Sequence, residues 1–166
     1  MRLVLIDGSN LHESSKAIGM QIDYRRLLEL MSEDNQLLRA YYFTALRDKS
    51  IQSPVRATVD WLSHNGYVCV TKDTKEYNVN GVVKIKGNVD VDITSYAFCY
   101  AQLVTEIYLF SGDGDFTVMV KMLQERYALK VYVVSSMGLV STELRKQADK
   151  FIALSDLRLD IEKEML

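Results

Sequence analysis

Short apolar segments alternate with helical segments along almost the whole chain, and this alternation restricts the possible folds more than any other feature. The first apolar segment, Arg2–Ile6 (RLVLI), is short and consistent with a buried strand. The further predicted strands are Leu37–Ala45, Tyr67–Thr71, Glu106–Phe110, Leu129–Val134 and Phe151–Leu154. The predicted helices are Ser9–Ala17, Tyr24–Met31, Gln52–Asn65, Val89–Val104, Phe116–Tyr127, Ser141–Asp149 and Asp156–Lys163. Strands that alternate with helices predict a mostly parallel sheet with helices on both faces.

One segment interrupts this pattern. Residues 75–86 contain Asn80-Gly81 between two candidate strands, Lys75–Asn80 and Val82–Lys86, which is a strong signal for a β-hairpin. The chain has 166 residues and no Gly/Ser linker or repeat. We therefore predict a single domain spanning 1–166, an α/β fold with a hairpin insertion.

Acidic side chains follow the predicted strands at informative places. Asp7 comes directly after the first strand, and Asp113 and Asp115 follow the strand that ends at Phe110. Asp90 and Asp92 open the helix after the hairpin. Because parallel strands carry their carboxyl ends to one edge of the sheet, we expect these groups to converge there.

Converging carboxylates are suited to binding a divalent cation. Mg²⁺ and Mn²⁺ prefer oxygen ligands, and carboxylates packed together repel one another unless a cation neutralises them. Each Asp also has an ordinary structural explanation, because Asp commonly caps the helix that follows a strand. Both explanations remain open for each residue taken singly.

Two other motifs share residues with Ser111-Gly-Asp-Gly-Asp115. An EF-hand loop would need further ligands and a glycine at positions that hold Thr117, Val118 and Gln124, and a helix would have to precede it. The pattern Asp113-x-Asp115-x-Thr117 also matches the DxDxT nucleophile motif of haloacid-dehalogenase-like phosphatases, which normally follows the first strand of the chain. Here it stands late in the sequence.

Three motifs in order resemble a known family. They are Asp7-Gly-Ser-Asn10, Lys86-Gly-Asn-Val-Asp90-Val and Ser111-Gly-Asp-Gly-Asp115-Phe. Together with Ser141-Thr-Glu-Leu144 and the segment at 148–152, they resemble the NYN domain family, LabA-like branch, of the PIN-like nucleases. The resemblance covers roughly residues 2–155.

The resemblance implies a three-layer α/β/α Rossmann-like (PIN-like) fold and a metal centre that hydrolyses RNA with Mg²⁺ or Mn²⁺. It carries a metal-binding or catalytic role to Asp7, Asp90, Asp113 and Asp115, and a ligand or water-positioning role to Asn10. Two positions depart from the family pattern. Asn88 is inserted between Gly87 and Val89, and Tyr96 stands where many members have another Asp; Asp92 is a candidate substitute for that acid.

Basic and hydroxyl side chains near these motifs are candidates for substrate contact. Lys84 and Lys86, with Lys72, Lys75 and Tyr77, form a candidate phosphate-binding patch, although lysines also protect exposed hairpin edges. Arg47 and Lys49 follow the second strand and are further candidates. Ser9 and Ser111, within the first and third motifs, are also predicted to contact substrate.

The function predicted from the sequence is a metal-dependent ribonuclease. The net charge of −2 is not that of a strongly basic nucleic-acid-binding protein, so a non-catalytic RNA-binding or regulatory module is the alternative, followed by a phosphatase. The expected partner is single-stranded or structured RNA, and a homodimer is one assembly to test. The lack of a signal peptide or membrane segment predicts a cytoplasmic protein without membrane contact.

Overall fold

The computed structural model describes residues 1–46 and 53–164. Within these ranges the strands are β1 (Arg2–Asp7), β2 (Leu37–Leu46), β3 (Val68–Asp73), β4 (Lys75–Val79), β5 (Val82–Lys86), β6 (Glu106–Phe110), β7 (Lys130–Ser135) and β8 (Lys150–Ala153). The helices are α1 (Gly8–Ala17), α2 (Tyr24–Met31), α3 (Pro54–His64), α4 (Asp90–Tyr100), α5 (Thr117–Tyr127), α6 (Thr142–Gln147) and α7 (Arg158–Ile161). Short 3-10 turns lie at Glu33–Asn35, Gly114–Phe116 and Leu154–Leu157.

The central sheet has the strand order β3-β2-β1-β6-β7-β8 in the described part of the chain. Every neighbouring pair in it is parallel, which confirms the predicted sheet. The chain moves outward from β1 to β2 and β3 and then returns to the other side of β1 with β6. This reversal leaves a crevice at the carboxyl ends of β1 and β6, where α/β folds of this kind bind ligands.

Alternating side chains of the strands bury two separate cores. In β1, Leu3 and Leu5 face the core beneath α4, α5 and α6. Val4 and Ile6 face the opposite core, beneath α1, α2, α3 and α7. Because both faces of the sheet are covered by helices, the predicted three-layer α/β/α architecture is confirmed.

The hairpin forms as predicted and stands apart from the central sheet. Strands β4 and β5 pair antiparallel, and Asn80 and Gly81 between them have φ angles of 53° and 79°. These left-handed conformations are those of the type I′ turn that Asn-Gly favours. The Asn78 side chain accepts a hydrogen bond from the Gly81 N–H at 3.1 Å and closes the turn.

Two helices are shorter than their sequence pattern predicts. Helix α4 was expected to reach Val104 but ends at Tyr100, because the next residues form three-residue turns: the Leu103 N–H donates to the Tyr100 carbonyl at 2.9 Å. The helix expected over Asp156–Lys163 is the short α7, preceded by a 3-10 turn. Among the described helices, none has the length and hydropathy required to cross a bilayer.

Candidate metal centre

Asp7 ends the central strand β1 and begins the candidate site. Its carboxylate caps α1 by accepting the Asn10 N–H at 3.1 Å, and it accepts a second hydrogen bond from the Ser111 hydroxyl at 3.2 Å. Only 7% of the residue is exposed. The apolar segment before Asp7 is buried in the sheet, so the strand holds this carboxylate in a fixed position at the crevice.

The loop after β6 is hydrogen-bonded to the loop after β1. The Gly112 N–H donates to the Asn10 side-chain oxygen at 2.8 Å. The Ser111 hydroxyl, which donates to Asp7, also accepts the Asp113 N–H at 3.2 Å. Asn10 and Ser111 therefore connect the two strand ends, and Ser111 is fully buried. The prediction that Ser111 contacts substrate does not fit this burial.

Gly112 lies where no larger residue fits. A Cβ at this position would lie 2.7 Å from the Leu139 carbonyl oxygen, 2.7 Å from the Ser135 hydroxyl and 2.9 Å from the Val140 Cα. The Gly112 carbonyl also accepts the Ser141 N–H at 2.9 Å. Close contact with the 139–141 backbone fixes the position of the loop that carries Asp113 and Asp115.

Three carboxylates meet at this edge of the sheet. Asp90, Asp113 and Asp115 each offer an oxygen, and these oxygens lie within 4.8 Å of one another. The Asp113 carboxylate accepts the Asp115 N–H at 2.9 Å, which caps the 3-10 turn before α5. The Asp90 N–H donates to the Asn88 side chain at 2.8 Å at the start of α4. In the sequence Asn88 stands out only as an insertion. Its role here is one that Asn often has, because an Asn side chain frequently accepts the backbone N–H two residues further on and so forms a turn.

The electrostatics of the cluster favour a bound cation. Burial raises the pKa of the Asp7 carboxyl, and the charges of Asp90 and Asp113 raise it further, against the two hydrogen bonds that lower it. Burial likewise raises the pKa of Asp90, with contributions from Asp113 and Asp115. Among the side chains that the structure describes, which do not include Lys84 and Lys86, no Lys or Arg forms an ion pair with these four acids. Oxygen donors without a counter-charge match the requirements of Mg²⁺ or Mn²⁺.

Comparisons with known proteins place the chain in a family. The model of the NYN domain matches residues 3–157. The chain belongs to the NYN domain family. A curated relative, the low amplitude and bright protein LabA of Synechococcus elongatus, is 34% identical over 166 aligned residues, covering 96% of this chain and 87% of the relative. This relative confirms the predicted LabA-like resemblance.

A solved structure supports the fold of this NYN-family chain. A crystal structure of a protein of unknown function from Vibrio parahaemolyticus superposes with a TM-score of 0.81 at 27% sequence identity. The similarity covers 98% of this chain and 95% of that one. The three-layer architecture is therefore shared over nearly the full length of both proteins.

Asp92 and Tyr96 occupy places apart from the acidic cluster of this NYN-family chain. The Asp92 carboxylate forms an ion pair with the Lys72 ammonium at 3.0 Å, so the candidate substitute acid is engaged with β3. The Tyr96 ring packs edge-on against Tyr41 and Phe43 of β2, with centroid distances of 4.9 Å and 5.4 Å. In this chain, position 96 therefore contributes to the core between α4 and the sheet.

The structure describes only some of the other residues that were predicted to contact substrate. Ser9 is exposed in the first turn of α1, beside Asp7. The side chains of Tyr77, Lys84 and Lys86 lie outside the described part of the structure, as do the whole of Arg47 and Lys49. The predicted phosphate-binding patch on the hairpin therefore stays a prediction.

Proposed function

We propose that this NYN-family chain is a divalent-metal-dependent ribonuclease that hydrolyses phosphodiester bonds at Asp90, Asp113 and Asp115. The observation that carries the proposal is the convergence of three carboxylates within 4.8 Å, with no paired cation among the described side chains. Such a set is costly to maintain without a cation. Family membership adds the nuclease chemistry, because NYN domains have a PIN-like nuclease fold.

Each residue of the centre has a separate task in this proposal. Asp90, Asp113 and Asp115 hold Mg²⁺ or Mn²⁺, and Asp7 is the fourth, more deeply buried carboxylate beside them. Asn10 and Ser111 hold the loop after β6 against the end of β1, through the 2.8 Å and 3.2 Å hydrogen bonds to Gly112 and Asp7. When bound, the metal supplies Lewis-acid activation of water and charge stabilisation at the phosphate oxygens.

A non-catalytic RNA-binding module is the second candidate, and Tyr96 is the observation that favours it. Many NYN domains are expected to have an acid at this position, and here the ring is packed into the core. A centre with one acid fewer binds a cation less tightly, so RNA binding could persist without cleavage.

The test is cleavage of end-labelled single-stranded RNA by the purified protein with Mg²⁺, Mn²⁺ or EDTA. Single-stranded DNA and p-nitrophenyl phosphate serve as competing substrates. We expect RNA cleavage with metal and none in EDTA. Asp113→Asn should reduce the rate by at least about a hundredfold, since it removes a ligand rather than an outer group. Asp160→Asn, a neutralised exposed acid on α7, is the matched control and should keep the wild-type rate.

The outcomes separate the candidate functions. Full cleavage in EDTA, or in Asp113→Asn, would refute the metal mechanism. RNA binding without cleavage under all metal conditions would favour the non-catalytic module. Hydrolysis of p-nitrophenyl phosphate without RNA cleavage would indicate a phosphatase.

A further inference from the structure

A groove lies beside the acidic cluster, on the opposite face of the sheet from α4. It has a volume of about 840 Å³ and runs between α1 and α3, from Gly8 and Ser9 to the turn at 19–22 and Lys163. We call it the α1–α3 groove. Its volume is within the range of roughly 300–1,000 Å³ typical of ligand sites.

The charge of the α1–α3 groove is opposite to that of the cluster. His12, Lys16 and Lys163 line it, and no Asp or Glu is among the described residues that line it. All three basic residues are exposed. Among the described residues, neither lysine forms an ion pair. These cations are therefore available to an anionic ligand.

The basic residues are arranged along the groove. His12 and Lys16 are four residues apart on α1, so they lie on one side of the helix with a rise of about 6 Å between them. Lys163 is fixed beside the far end of α1, because its N–H donates to the Gln21 carbonyl at 2.9 Å. The charges of Lys16 and Lys163 thus lie near the C-terminal end of α1, away from the cluster.

The rest of the lining combines aromatic and hydroxyl groups with apolar side chains such as Met20, Ile22 and Val55. Tyr24 and Tyr42 are in edge-to-face contact, with ring centroids 5.8 Å apart. The Tyr42 ring lies against Gly8, where an added Cβ would be 2.6 Å from its hydroxyl. Ser9 and Thr58 add hydroxyls from the two helices. Because Tyr42 is only 5% exposed, the groove offers hydroxyls and lysine charges for contact with the RNA backbone, not ring faces for base stacking.

The groove and the cluster are joined by adjacent residues. Asp7 belongs to the acidic crevice, and the next two residues, Gly8 and Ser9, line the groove. An RNA strand whose phosphate lies at the carboxylates could therefore continue into the groove without leaving the protein surface.

We propose that the α1–α3 groove binds the nucleotides of single-stranded RNA on one side of the cleaved phosphate, with His12, Lys16 and Lys163 contacting the backbone. This inference rests on the proposed ribonuclease function for its substrate. It adds a second candidate RNA-binding surface to the patch predicted on the hairpin and assigns a role to the segment that carries Lys163.

The experiment compares two double variants that each remove two positive charges. Lys16→Ala/Lys163→Ala changes the groove. Lys121→Ala/Lys150→Ala is the matched control, with one residue on α5 and the other at the start of β8, both exposed. Binding of a fluorescein-labelled 12-nucleotide RNA is measured by anisotropy in EDTA at several salt concentrations. The same proteins are assayed for cleavage with Mn²⁺.

We expect the groove variant to bind RNA about tenfold more weakly, and the control to bind like wild type. The slope of log K against log salt should fall by about 0.7 for each RNA phosphate that a lysine no longer neutralises. In cleavage, KM should rise with kcat nearly unchanged. Equal binding and equal KM in the two double variants would overturn the groove proposal while leaving the ribonuclease intact.

Two further outcomes separate the RNA-binding groove from the proposed ribonuclease function and from a mononucleotide site. If wild type binds RNA through the groove but never cleaves it with Mg²⁺ or Mn²⁺, the proposed function fails and the RNA site stands. AMP is also tested as a competitor of the labelled 12-mer. If AMP displaces it as effectively as an equal concentration of unlabelled 12-mer, and does not bind the groove variant, the site takes free mononucleotides and the RNA proposal is overturned. Circular dichroism melting, expected to be unchanged in both double variants, checks the fold.

Discussion

Neutralising one carboxylate of the cluster should stabilise the metal-free protein. In Asp113→Asn, the side-chain oxygen can still accept the Asp115 N–H, because Asn and Asp are equivalent caps. What disappears is repulsion from Asp90 and Asp115, whose oxygens lie within 4.8 Å. At this distance, two unit charges repel by about 0.9 kcal/mol in water and about 3.5 kcal/mol at an effective dielectric near 20.

Solvent exposure decides which end of this range applies. Asp115 is exposed and Asp113 is half-buried, so screening keeps each repulsion near the lower value. We expect a net gain of about 1.5 kcal/mol in the free energy of unfolding, which raises Tm by about 3–6 °C in a domain of this size.

The assay is differential scanning calorimetry in EDTA at neutral pH, with Asp160→Asn as the control for loss of an exposed charge. Asp160→Asn should not raise Tm. A Tm for Asp113→Asn equal to or below that of wild type would show that the three carboxylates do not repel one another in the folded chain, and would contradict this prediction. A rise in both variants would point to the overall negative charge instead of the cluster.

Three further perturbations test other parts of the structure. Tyr96→Asp should lower the free energy of unfolding by about 1–3 kcal/mol in urea titrations. It removes two edge-to-face ring contacts, each of which contributes about 0.5–1.5 kcal/mol. An unchanged free energy of unfolding would refute the packing role of Tyr96. Gly112→Ala should lower the free energy of unfolding by about 1–3 kcal/mol, because the added Cβ meets the Leu139 carbonyl. Gly138→Ala is the control and should be near neutral, since open space surrounds Gly138. Equal effects of the two substitutions would contradict the close fit at Gly112. The third concerns pH: because the folded-state pKa of Asp7 is raised above 3.8, ionised Asp7 destabilises the metal-free fold, and this penalty is lost as pH falls from the raised pKa towards 3.8. Wild type in EDTA should therefore gain stability relative to Asp7→Asn over that interval, and a difference independent of pH would contradict the shift.

Strand positions and the edge where the acids meet were predictable because their signals are local. A short apolar segment followed by Asp and Gly predicts both a buried strand and the loop at its carboxyl end. Asp7 and Asp113 are far apart in sequence, yet two parallel strands carry them to the same crevice. The hairpin was predictable for the same reason, since Asn80-Gly81 alone specifies its turn.

Side-chain partners were not predictable, because they depend on residues distant in sequence. Asp92 has the same local pattern as Asp90, and only the position of Lys72 on β3 engages it elsewhere. Ser111 stands in a glycine-rich loop that resembles an exposed one, but its hydroxyl is buried beneath Asp7. The α1–α3 groove was missed entirely, since Lys16 and Lys163 come together only after the last segment folds back on α1.

Electron paramagnetic resonance measures directly whether the acidic cluster binds Mn²⁺. Mn²⁺ is titrated into wild type, Asp90→Asn and Asp160→Asn, and the signal of free Mn²⁺ is followed. We expect wild type and Asp160→Asn to deplete the free signal, and Asp90→Asn to need at least about tenfold more protein to do so. Identical depletion by all three proteins, or none by wild type, would contradict this expectation.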